Sequence, residues 1–273
     1  MTNYKQRLLS FVCIVGIINA GFCEPPETRT DKTPSTSTRE PIPDDDAPDD
    51  LKRLITIGKV QVVYDSDPQF VKARCGWADF NLRLDQSFKY NLKKSQRNGR
   101  WHVKVTVTKL EPTIELTHLI RLPSSFKSPE VWKGQILRHE FDHVAVCVDP
   151  RAMMLLRYSL SHLRTIEKTL EPDETPSNDR INQLINREIE LRRDAMIELM
   201  RQNNLLLDKV GAHGLKPIPE RAAFFAKLYT KEHLAELKFP YIEEVLALLK
   251  SDLYERTELP FLPNDPAIRS KSS

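Results

Sequence analysis

The chain has 273 residues, of which 40% are hydrophobic, 8% aromatic and 29% charged, with a formal net charge of +3. So much apolar material excludes a wholly disordered chain and allows one good-sized core or two small ones. One domain large enough to carry a catalytic site is the simplest arrangement.

Residues 1–23 stand apart from that domain. Lys5 and Arg7 form a positive n-region, residues 8–18 are an apolar run short for a membrane span, and the small residues Ala20 and Gly21 follow. This is the order of a secretory signal peptide. Cleavage is expected after Ala20 or Cys23, with an uncleaved anchor as the alternative, so the mature chain is expected to be exported, periplasmic or extracellular. Residues 24–50 are rich in Pro, Ser, Thr and Asp with almost no large apolar side chain, and they read as a disordered acidic linker that cannot repay the entropy of ordering. This segment holds nine acids and three bases, a net of −6. Without it and the two leader bases, the chain from Leu51 onward carries a net of about +7. An exported chain meets little nucleic acid, so the basic charge suits an anionic envelope surface or simply keeps the domain soluble.

Cys13 and Cys23 fall in the leader, which leaves Cys75 and Cys147. An even pair in an oxidising compartment is most simply a disulfide. From residue 54 to 122 the pattern is that of strands. Residues 55–57 and 60–64 cluster β-branched side chains, and residues 80–84 and 88–92 alternate. Asn98-Gly99 is a hairpin turn signal directly before the alternating residues 101–107. A further strand over residues 114–120 closes at Pro123. One face of these strands is apolar and the other wet, with His102 and His118 assigned to polar positions.

The chemistry lies in the helix expected over residues 129–148. It carries His139-Glu140-Phe141-Asp142-His143, the H-E-x-x-H pattern. Histidines four apart sit one turn above each other on one helix face, with Glu140 beside them. Two neutral imidazoles so placed can close on one zinc ion, and the glutamate is held where it can take a proton from water. Cys147, one turn beyond His143, is a thiolate ligand candidate as well as a disulfide partner. Asp142 is a surface carboxylate by default, or orients a ligand from outside the coordination sphere.

Asp149-Pro150 breaks the chain before an amphipathic helix expected over residues 151–170, and a long charged helix follows over 178–207. Residues 220–229 and 241–254 read as two short helices parted by Phe239-Pro240, in a C-terminal extension, residues 236–273, with a frayed end. The domain proper is therefore drawn at 51–235, α+β, an antiparallel or mixed sheet followed by helices. A zinc site needs a further protein ligand. Asp149, Glu188 or Glu190, and His213 between Gly211 and Gly214 are the candidates.

The strand-rich first half with Cys75-Gly76, the Leu122-Pro123 strand end, the His139-Glu140-x-x-His143 helix and the late Asp208 to His213-Gly214 motif carry a resemblance. Over residues 60–229 the chain resembles a bacterial family of predicted secreted zinc-dependent proteases. The resemblance implies a zincin-like fold with the motif on its central helix, and it favours His213 as third ligand. The late motif matches incompletely, since the family often has Thr where this chain has Gly211. On this reading the chain is a zinc metallopeptidase with Glu140 as general base and a peptide or protein as substrate. By analogy with zincin folds, an edge strand at residues 114–120 would hold that substrate. Arg151, His162 and Tyr229 are unranked candidates for stabilising an oxyanion. The alternative is a non-catalytic envelope binding module with structural zinc or no metal. The oligomeric state is not readable from the sequence.

Overall fold

The computed structural model describes residues 14–15, 39–66 and 76–262. The fold grows from one long hairpin. Asn98 and Gly99 take φ of 50° and 76°, and two consecutive left-handed residues make the tight turn whose twist matches that of paired strands. Strands β4 (Trp77–Arg97) and β5 (Arg100–Pro123) run out from it antiparallel along their whole length.

Their register shifts once. Lys89 faces Lys109 while Tyr90 faces Val107, so Thr108 is an extra residue, and its hydroxyl donates to the Lys89 carbonyl at 3.1 Å. A one-residue insertion exchanges the faces of a strand. The inward set of β5 accordingly changes from Val103, Val105 and Val107 to His118, Ile120 and Leu122, all buried. His118 thus belongs to the apolar face and is not at a polar position: its Nδ1–H donates to the Gly58 carbonyl at 2.7 Å.

Strand β3 (Val60–Asp65) lies parallel to the end of β5, with β2 (Arg39–Pro41) antiparallel outside it. Strand β6 (Thr165–Thr169) joins β5 nearer the turn, and β1 (Ile14–Val15) pairs with β4 at Asn81 and Phe80. The fold is α+β with a mixed sheet. Residues 114–120 are therefore not an edge strand throughout, because His118 to Ile120 have partners on both β3 and β4.

Three local expectations change. Residues 55–57 lie in helix α1 (Asp49–Gly58), whose acidic first turn complements the helix dipole. Residues 39–50, expected in the solvated linker, are folded: Arg39–Pro41 pairs with β3, and Ile42 and Ala47 are buried. Two apolar anchors suffice to fix this acidic stretch. The helix expected over 151–170 stops as α3 (Pro150–Ser161), and the β-branched run after it forms β6.

Helix α2 (Gln135–Cys147) follows a single 3-10 turn at Val131–Lys133, and Gly134, extended at ψ 133°, separates the two. It packs on β4, α1 and the 34-residue α4 (Asn178–Gly211). The remaining helices are α5 (Arg221–Lys227), α6 (Lys231–Glu236), α7 (Ile242–Leu249) and α8 (Asp252–Glu255). The C-terminal segment is part of the same core: Phe239, Val245, Tyr254 and Phe261 are buried in it, and the Tyr254 hydroxyl donates to the Tyr229 carbonyl at 2.8 Å. Among the described residues no helix is long and apolar enough to cross a membrane.

Candidate metal centre

Helix α2 is buried almost all round, and its buried residues include His139, Glu140, Asp142 and His143. Polar groups in such a place need partners. Asp142 finds one in Arg221, whose Nε donates to Oδ1 at 2.8 Å, so it ties α5 to α2.

The two histidines meet α4. Asp208 Oδ1 lies 3.0 Å from His139 Nε2 and 3.1 Å from His143 Nε2. One turn earlier on α4, Asn204 accepts from His143 Nδ1–H at 2.9 Å. That bond fixes the imidazole orientation and aims Nε2 at Asp208. The Asn204 amide also reaches Cys147 Sγ, at 3.6 Å.

Glu140 lies beside this group, fully enclosed. A side chain at Gly76 would put its Cβ 2.6 Å from Glu140 Oε1, so only glycine lets the backbone close on that carboxylate. Among the described residues, Glu140 Oε2 has no hydrogen-bond partner. Burial pushes the Glu140 carboxyl up to about 7, with the His143 charge opposing and Asp208 adding. Burial opposes charge on His143 as well, but the bond to Asp208, the Glu140 and Asp208 charges and Asn204 carry it up to about 9. Burial lowers His139, against its bond to Asp208. Asp208 is also penalised by burial, yet the two histidines hold it well below the usual carboxylate range.

Helix α4 ends in three successive left-handed residues, Ala212, His213 and Gly214, which turn the chain back onto His139. A Cβ on Gly214 would lie 3.0 Å from the His139 Cβ, and one on Gly211 3.1 Å from its ring. The two glycines thus let the loop seat against a ligand-bearing ring.

Among the described residues, His139, His143 and Asp208 form a group whose donor atoms all lie within 4.8 Å of one another. A cation bound at about 2.0–2.1 Å needs tetrahedral ligand edges of about 3.3 Å, close to the two Asp208 spacings. The donors fit a metal ion. His213 stands at the rim, a third exposed, with Nδ1 3.5 Å from Asp208 Oδ1.

The other sequence candidates lie elsewhere. Glu188 and Glu190 precede Asp208 by about 30 and 27 Å along α4, and they pair with Arg192 and Arg187. Asp149 caps α3 by accepting from Arg151 N and binds the Arg151 guanidinium. Arg151 also donates to the Phe225 and Ala226 carbonyls, the Tyr229 hydroxyl donates to the Val146 carbonyl, and His162 stacks on Tyr158 at the surface. Cys147 carries a free, buried thiol that burial pushes up to about 12; its sulfur faces the Asn204 amide and is not in the group formed by His139, His143 and Asp208. Cys75, its expected disulfide partner, lies outside the described residues. Sequence reasoning missed Asp208 as a member of the donor group, and also Asn204 and Gly76. The available signal was Asn204 and Asp208 standing four apart on the face of α4 that also carries buried Met200, Leu207 and Gly211. Neither a protein-family profile, nor a curated protein, nor a solved structure matches the chain.

Proposed function

We propose that the chain is an exported zinc metallopeptidase of zincin-like type, hydrolysing peptide bonds with Glu140 as general base. The observation that carries this reading is the convergence of His139 Nε2 and His143 Nε2 on Asp208 Oδ1, with the unpartnered carboxylate oxygen of Glu140 alongside. Two borderline imidazoles and a hard carboxylate are a mixed donor set of the kind catalytic zinc takes. Asp208 takes the place that the resemblance gave to His213. Zinc held by these three residues would supply Lewis acidity toward a peptide carbonyl and make water acidic near neutral pH.

The chain's own residues do the rest. Asn204 holds His143 by Nδ1, so its Nε2 stays presented to the centre. Glu140, kept near neutrality by burial, takes a proton from the attacking water at its carboxylate and returns it to the leaving amine. Gly76 holds the backbone against that carboxylate and limits its rotation.

A non-catalytic binding module with structural metal is the second reading. It is favoured by the position of His213, which would fill a fourth protein place. Hydrolysis of an unfolded protein substrate by the purified chain and by Glu140→Gln separates the two. Loss of hydrolysis in Glu140→Gln by about a thousandfold, with the fold retained, supports the peptidase. Equal behaviour of the two proteins sinks it.

A further inference from the structure

Charge is unevenly laid along the long hairpin. Residues 86–110 contain seven bases, Lys89, Lys93, Lys94, Arg97, Arg100, Lys104 and Lys109, and no acid. The end beyond Lys93 is exposed on β4, and β4 there lies between β5 and solvent. A run of acids lies at the opposite end, while Glu171 and Asp173 follow Leu170, whose N–H donates to the Trp101 carbonyl at 2.8 Å near the tip. Asp44, Asp45, Asp46, Asp49 and Asp50 follow β2, which reaches β5 through β3 at residues 121–123. At about 3.3 Å per residue, some twenty strand residues, roughly 65 Å, separate the turn from that acidic end. The hairpin turn is therefore a local concentration of positive charge, far from that acidic stretch, part of which pairs with Arg138 and Lys52.

The register adds shape. Lys93 faces Lys104 and Ser95 faces His102, while Glu167 and Thr169 continue these rows on β6. These residues line a shallow concavity. Its one acid, Glu167, is paired with Lys104 at 2.6 Å. The Thr169 hydroxyl and His102 Nδ1 share a hydrogen bond of 2.9 Å. On the other face, Trp101 is half-buried beneath the Lys94 ammonium, 5.7 Å from its ring, an amphipathic pair of the sort found at lipid headgroups. The solvent face of the tip carries no Phe, Tyr or Trp on which nucleic-acid bases would stack.

We infer that the tip of the hairpin, residues 93–104, docks on an anionic phospholipid bilayer. The basic tip meets the lipid phosphates first, and the candidate metal centre, at the Gly76 end of β4, then projects away from the bilayer. Docking thus keeps that end of the molecule clear of the bilayer surface. This inference does not depend on the peptidase reading.

The test is co-sedimentation of the full chain with phosphatidylcholine vesicles and with vesicles in which one third of the lipid is phosphatidylglycerol. The protein is compared with the triple variant Lys93→Glu, Arg97→Glu, Arg100→Glu and with a control triple, Lys227→Glu, Lys231→Glu, Lys250→Glu, of equal charge change. All three variant positions on the hairpin are exposed, and thermal melting of each protein checks the fold. Partitioning to the anionic vesicles that falls by about a hundredfold in the hairpin triple but survives in the control is the expected result. Equal losses in both triples, or no preference of the wild type for anionic over neutral vesicles, overturns it. So does tighter binding of the wild type to duplex DNA than to the anionic vesicles at the same salt concentration.

Discussion

Asn204 decides which nitrogen of His143 faces Asp208. Without its side-chain oxygen the imidazole can rotate or change tautomer, so Asn204→Ala is expected to weaken metal binding about 10–100-fold with little change in fold; competition with a chromogenic chelator measures it. Gly76 acts on the base in the same way. In Gly76→Ala the new methyl would lie 2.6 Å from Glu140 Oε1, so hydrolysis is expected to fall while metal content stays that of the wild type. His118 carries a pH dependence of stability. Burial lowers it to about 4 from 6.5, against its bond to Gly58, so the native state keeps it neutral while the unfolded chain protonates it below 6.5. Stability is then full above pH 6.5 and falls as pH drops toward 4, by about 3 kcal/mol. Unfolding free energies from denaturant titrations at pH 7 and pH 4 should fall by about this amount more in wild type than in His118→Gln; equal falls would refute the assignment.

At the scale of elements, the bulge at Thr108 sets which face of β5 is apolar. Deleting Thr108 would turn Val103, Val105 and Val107 to solvent or force the far half of the strand out of register. The expected outcome is loss of a single cooperative melting transition. The turn at Asn98-Gly99 was legible in the sequence, because only left-handed residues close such a hairpin. The long α4 and the motif helix were legible by periodicity, although Gly134 delays the start of α2 past the expected proline. Helix α1 was not, since the β-branched residues 55–57 mimic a strand and the packing of Leu51 and Leu54 decides otherwise. Strand β6 was hidden by the amphipathic run before it. At the site, the helical spacing gave His139, Glu140 and His143, but the partners on α4 depend on how two helices pack, which spacing within one helix does not encode. Asp208 therefore stood in a recognised motif without its role.

On the scale of the whole molecule, the boundary expected at residue 235 divides nothing. Phe239, Val245, Leu249, Tyr254 and Phe261 share the core with Phe225 and Tyr229. A chain ending at residue 235 is expected to lose cooperative unfolding in calorimetry, because several large apolar side chains, each worth about 1.5–3 kcal/mol of burial, leave together. Around that core the sheet, α2 and α4 bring two histidines and Asp208 to one point, and the central claim is that this point is a zinc site. The most direct measurement is zinc content after equilibrium dialysis of the wild type, Asp208→Ala and His213→Ala. About one zinc per chain is expected in the wild type and in His213→Ala, and its loss in Asp208→Ala. A wild type without zinc, or an Asp208→Ala variant that keeps it, would rule this zinc site out.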